Sequence, residues 1–158
     1  MRTKLFGLPI CVALAVLGAT SLASAAPKAA RSTVTIKTLM DVTSATPVDA
    51  DHNGKPSIGD YTIFRAVHHD PSTARVVGGG TAICTQIDAQ GTLFDCIGED
   101  HFAGGDIREA FRFGLSKSFK IGILGGTGVY QGAYGELNGT WLDSKETKAR
   151  AVFTITTP

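Results

Sequence analysis

Short runs in which apolar and polar residues alternate recur from about Val34 to the end of the chain, and helical periodicity is scarce. Eight such runs stand out: Val34–Met40, Tyr61–His68, Val76–Ile87, Thr92–Ile97, Asp106–Phe113, Ser118–Leu124, Ala133–Leu142 and Ala149–Thr156. Each is rich in β-branched or aromatic residues and bounded by turn formers. This pattern predicts an all-β sandwich or barrel of eight strands. The 19 glycines gather at the turns and inside the later strands, where they serve the bulges and sharp bends that a small closed barrel needs.

The first residues break this pattern. Arg2 and Lys4 precede an apolar run from Leu5 to Leu22, and Ala23-Ser24-Ala25 supplies a small-x-small cleavage site. Basic, apolar and small, in that order, describe a secretory signal over residues 1–25 and a secreted or periplasmic protein without a membrane span after cleavage. Residues 26–32 read as a flexible start and 33–158 as one barrel domain. Cleavage leaves 133 residues, with 13 Lys+Arg against 14 Asp+Glu and a formal charge of −1. No basic field remains to attract nucleic acid.

Cleavage also removes Cys11 and leaves Cys84 and Cys96, an even count in an oxidising compartment. The two lie six residues either side of Gln90. A three-residue turn at Ala89-Gln90-Gly91, with Gly91 left-handed, puts them opposite each other and predicts a disulfide. A turn one residue longer or shorter makes the pair diagonal, and a free catalytic thiol is the other reading.

Two stretches invite stronger chemistry. Asp49, Asp51 and Asn53, followed by Gly54, carry oxygen ligands in the order of a Ca²⁺ loop, with Ser57 and Asp60 completing twelve places. No helix flanks the loop, and Asp60 stands where a bidentate Glu is usual. Asp, Asn and Gly are also ordinary turn formers, so an acidic loop at a barrel mouth is the competing account. Apart from Ca²⁺ there, no cofactor is expected. In the second stretch, Gly125, Gly126, Gly128, Gly132 and Gly135 crowd one segment. The spacing misses a dinucleotide fingerprint by one residue and lacks the Gly-Lys-Ser/Thr of a phosphate loop. It reads as a structural glycine turn, with Tyr130 and Tyr134 as packing or pocket residues. His68-His69-Asp70 reads as a solvated strand end, since adjacent strand residues face opposite ways.

The segment Phe119-Lys-Ile-Gly-Ile-Leu-Gly-Gly-Thr-Gly-Val-Tyr-Gln-Gly-Ala-Tyr-Gly135 resembles the GGTG-x-(F/Y)-x-GA-x-G segment of the allene oxide cyclase and dirigent superfamily. Ser57-Ile-Gly-Asp-Tyr-Thr-Ile-Phe64 and Val76-Val-Gly-Gly-Gly-Thr-Ala-Ile-Cys84 resemble two more of its segments, in the same order. The resemblance implies an eight-stranded antiparallel barrel, a homotrimer and an apolar pocket for a small apolar ligand. Its plant cyclases close a fatty-acid epoxide into a cyclopentenone, and its dirigent members orient phenoxy radicals. Those cyclases use a Glu on the first strand, where this chain has Lys37 and Asp41. Candidate pocket and polar residues are Asp60, Tyr61, Phe64, Asp95, Asp106, Arg108, Tyr130 and Tyr134. The expected activity is binding, or cofactor-free isomerisation or cyclisation, of a small apolar metabolite. The alternative is a non-catalytic interaction module whose barrel is filled by side chains.

Overall fold

The computed structural model describes residues 31–114 and 116–158. The expected signal segment, Cys11 and most of the expected flexible start lie outside the described residues. Eight strands follow one another: β1 (Ser32–Val48), β2 (Tyr61–His69), β3 (Val76–Gln86), β4 (Leu93–Phe102), β5 (Gly105–Gly114), β6 (Ser118–Gly126), β7 (Tyr134–Trp141) and β8 (Lys148–Thr157). Each pairs antiparallel with the next, and β8 returns to β1, closing an up-and-down barrel. Closure leaves no free sheet edge. Among the described residues no helix is long and apolar enough to cross a membrane.

The alternation read from the sequence decides what faces inward. On β8, Ala149, Ala151, Phe153 and Ile155 are all fully buried. On β5 the inward set is Ile107, Glu109, Phe111 and Phe113, and Arg108 and Arg112 point outward. β1 runs eight residues beyond the expected strand, through Pro47, because a bulge between Val42 and Ser44 lets it bend and keep pairing with β2.

The barrel has two unlike halves. One end is packed solid by Phe102, Ile107, Ile123, Tyr130, Ala133, Leu137, Phe153 and Ile155. Phe102 and Phe153 meet edge to face there, with ring centroids 5.0 Å apart. The glycine-rich segment seals this end. It forms only a single 3₁₀ turn (Gly128–Tyr130), which tucks Tyr130 inward. Gly128 takes φ +57°, and a Cβ there would overlap the Gly104 carbonyl.

At the other end Cys84 and Cys96 are directly paired in the β3–β4 register and joined by a disulfide. The turn differs from the expected three-residue form: Ile87 N–H bonds Leu93 O, and the Asp88 carboxylate caps Thr92 and Leu93. The longer loop keeps Gln90 at its centre, so the cysteines remain opposite, and Gly91 is left-handed at φ +67°. Replacing both cysteines by Ser should lower unfolding stability by about 2–3 kcal/mol, measured by urea denaturation of the oxidised wild type beside the variant. An unchanged midpoint would show that the bond constrains nothing.

Candidate functional site

Above the packed end the barrel opens into a cavity of about 270 Å³. Its wall is mostly apolar: Met40 and Val42 from β1, Phe64 from β2, Phe111 and Phe113 from β5, Phe119 from β6. Trp141 lies against Phe119 with ring centroids 4.9 Å apart, and Lys145 and Thr147 stand at the rim. A Cβ at Gly139 would overlap the Phe119 ring, so that glycine lets the ring lie against β7. A broader, more open depression lined by Ser116, Lys117, Asp143 and Ser144 adjoins the cavity at Trp141 and Glu146.

Four polar side chains gather where the cavity meets the core: Thr38, His68, Asp100 and Glu109, each at most 7% exposed. Thr38 Oγ1 and His68 Nδ1 are 3.0 Å apart, and His68 Nε2 and Asp100 Oδ1 are 2.9 Å apart. An ionised Asp100 can only accept, so Nε2 carries a hydrogen. In the neutral ring Nδ1 then accepts from the Thr38 hydroxyl. Phe102 and Phe153 flank the imidazole, with centroids 5.3 and 5.6 Å away. Glycine makes room for the cluster: a Cβ at Gly80 would overlap Asp100 Oδ1.

Glu109 completes the group. Burial, together with the Asp100 charge and a hydrogen bond between the two carboxyl groups, lifts its pKa from the ordinary 4.5 to about 9. Glu109 therefore keeps its proton at neutral pH. The bulge that displaces Leu124 between β5 and β6 falls beside Glu109, as bulges next to reactive sites often do. Chemically, such a pair can give a proton and take one back within a water-poor, apolar space.

The candidates named from the sequence are dispersed. Phe64 lines the cavity. Asp95 and Arg108 have the opposite strand parity and lie on the outside, where Arg112 binds Asp95 and Arg108 pairs with Glu99. The hydrogen bonds from Arg112 hold the Asp95 carboxyl below its usual value. Tyr61 also has the outward parity of β2. Tyr130 packs in the sealed end, and Tyr134 is exposed, 6.0 Å from the Arg31 guanidinium. Asp106 bonds Thr127 at that sealed end. Asp41 faces outward, 3.7 Å from His69, and the buried glutamate stands on β5 instead of the first strand. His68 is fully buried, contrary to the solvated strand end expected, because its parity puts it inside the barrel and only His69 outside.

Asp49, Asp51 and Asp60 converge at the mouth end, with one oxygen from each within 4.8 Å of the others. Every oxygen of the three already accepts a hydrogen bond from the loop itself. Gly54 N–H bonds Asp49, Asn53 Nδ2 bonds Asp51, and Ala50 and Ser57 N–H bond Asp60. Turn chemistry therefore accounts for the spacing. The Gly54 bond leads the causes that hold the Asp49 carboxyl below its usual value.

No family model matches the chain, and no curated protein matches it in sequence. Solved structures do match in fold. A pyocyanin demethylase superposes with a TM-score of 0.63 at 21% identity, covering 77% of this chain and 99% of that one. A pterocarpan synthase dirigent protein gives 0.61 at 18%, over 80% and 84% of the two chains. An exo-specific intermolecular Diels-Alderase gives 0.64 at 12%, over 81% and 99%. The chain has the dirigent-like, allene oxide cyclase-like barrel fold; at these identities the likeness is one of fold alone.

Proposed function

We propose that this is a secreted or periplasmic pocket protein that binds a small, largely apolar metabolite and isomerises or cyclises it without a cofactor. The observation that carries the reading is a pair of buried carboxyl groups, Asp100 and Glu109, at the inner end of an apolar cavity, where burial keeps the Glu109 proton on at neutral pH. A substrate held there gives a proton to the ionised partner and receives one from the protonated partner, so the net change is isomerisation. Positioning in a shaped cavity supplies the rest of the barrier reduction. A volume of about 270 Å³ is near the lower end of small-molecule pockets, which run from roughly 300 Å³. Structures of the same fold carry the names of a demethylase, a cyclase and Diels-Alderases, which favours chemistry over storage. A barrel filled throughout, the interaction-module reading, fits only the sealed half. Outward Ile83 and Ile97 are paired and exposed, apolar surface that the copies of a homotrimer would cover.

The test is mass spectrometry of the protein after incubation with metabolite extract of its source. Loss of a compound with appearance of an isomer of equal mass is the expected result, and Glu109→Gln should retain the compound without converting it. Retention without conversion by the wild type would make the protein a carrier. Neither retention nor conversion would favour the interaction module.

A further inference from the structure

The space beside Asp100 exists because its neighbours across the sheet are small. Asp100 shares a register row with Ala66 and Gly80, and the next row holds Phe64, Ala82, Gly98 and Glu109. All seven line the cavity. Inward side chains fill a barrel of this strand number unless small residues leave a gap, as Ala66, Gly80, Ala82 and Gly98 do here. Asp100 points into a barrel whose far end is packed solid, yet 10% of its side-chain surface is exposed, so that surface opens on the cavity. Its Oδ1 accepts from His68 Nε2 at 2.9 Å. Its Oδ2 bonds no side chain among the described residues and, unlike Glu109 Oε1, is not closed off from water. Oδ2 is therefore the acceptor that this end of the cavity presents.

No positive side chain answers that oxygen. The Thr38 hydroxyl can supply the hydrogen at His68 Nδ1, so the ring holds its place with one hydrogen of its own, on Nε2, and needs no charge. Glu109 is neutral or negative and never positive. Glu99 turns its carboxylate outward to Arg108, and Lys145, at the rim, is the only Lys or Arg among the described residues that line the cavity. The larger side chains of the wall are aromatic: Phe64, Phe111, Phe113, Phe119 and Trp141. A carboxylate at the deep end of an aromatic cavity suits an organic cation, which gains a charge-assisted hydrogen bond at one end and ring faces around it. Resting on the pocket reading above, we infer that the cavity takes an apolar-bodied amine in its protonated form, with an N–H donating to Asp100 Oδ2 and the hydrocarbon body against the aromatic wall. Folding has already taken the carboxylate out of bulk water and fixed its orientation through His68, so binding does not bear that cost. An acid is selected against, because its anion would meet the Asp100 charge.

The probes are phenethylamine, 2-phenylethanol, ethylbenzene and phenylacetate, which put an ammonium, a hydroxyl, no polar group and a carboxylate on one apolar body. They are titrated at pH 7 into oxidised, ¹³C-labelled protein. Phenethylamine should bind about tenfold tighter than 2-phenylethanol, the margin of a charge-assisted hydrogen bond over a neutral one. Ethylbenzene should bind more weakly still, and phenylacetate should not bind. In the wild type the side-chain carboxyl ¹³C signal of Asp100, assigned through its backbone, should move with the amine and stay put with ethylbenzene. Asp100→Asn can keep its carbonyl on His68 and turn an N–H₂ to the cavity, which should abolish the advantage of the amine, whereas Glu109→Gln should retain it. Ethylbenzene or the alcohol binding as tightly as the amine would overturn the cation assignment and leave the pocket standing, and so would an amine advantage that survives Asp100→Asn. No binding by any probe would overturn the pocket reading and this inference together.

Discussion

Glu109→Gln is expected to make the protein more stable at neutral pH and to abolish conversion of its substrate. The argument is one of linkage. An unfolded Glu holds its proton only below about pH 4.5, and the buried Glu109 holds its proton to about 9. Between those limits the folded chain binds more protons than the unfolded chain, so stability falls as pH rises. It is flat below 4.5 and levels off above 9. Across the whole window the loss is on the order of 6 kcal/mol, of which about 3 kcal/mol has gone by pH 7. Glutamine has no proton to lose. Its amide can donate to Asp100. The variant should therefore melt on the order of 10 °C higher at pH 7 and show a flat stability between pH 5 and 9. A variant that melts at or below the wild type throughout that range would contradict the burial of an ionisable pair. Gain of stability with loss of activity is the usual signature of a site held against its own folding energy.

His68→Leu should act in the opposite direction. The ring is fully buried, and Asp100 depends on its Nε2–H. Leucine fills much of the space between Phe102 and Phe153 but leaves the Asp100 carboxylate and the Thr38 hydroxyl without their partner. Breaking a buried pair from one side costs about 3–5 kcal/mol, most of it the uncompensated charge. The double variant His68→Leu/Asp100→Leu removes that charge and should recover a large part of the loss. Urea denaturation of the two singles and the double measures the coupling. A double variant as unstable as the sum of the singles would mean that the two side chains do not act as a pair.

Much of the architecture was legible because a barrel strand advertises its two faces. The eight runs correspond to eight strands, and the Cys84–Cys96 pairing followed from the symmetry about Gln90, which survived a longer turn. The site was less legible, although the signal was present. Once Cys96 is placed inward, alternation carries Gly98, Asp100 and Phe102 inward with it and sends Asp95 outward. On β5 the inward series Ile107, Glu109, Phe111, Phe113 contains one glutamate among apolar residues. A lone carboxyl at an inward position is the mark of this site, and charge alone drew attention to Asp95 and Arg108 instead. What the sequence could not supply was the meeting of Thr38, His68, Asp100 and Glu109, which come from β1, β2, β4 and β5 and converge only when the barrel closes with its particular registers and bulges.

The most direct measurement is the titration of Glu109 itself, followed by the ¹³C signal of its side-chain carboxyl in labelled protein and assigned with Glu109→Gln. A midpoint near 9 would establish a proton held at the inner end of the cavity at neutral pH. A midpoint near 4.5 would mean that Glu109 is ionised and solvated there, and the protonated carboxyl on which the proposed chemistry depends would not exist.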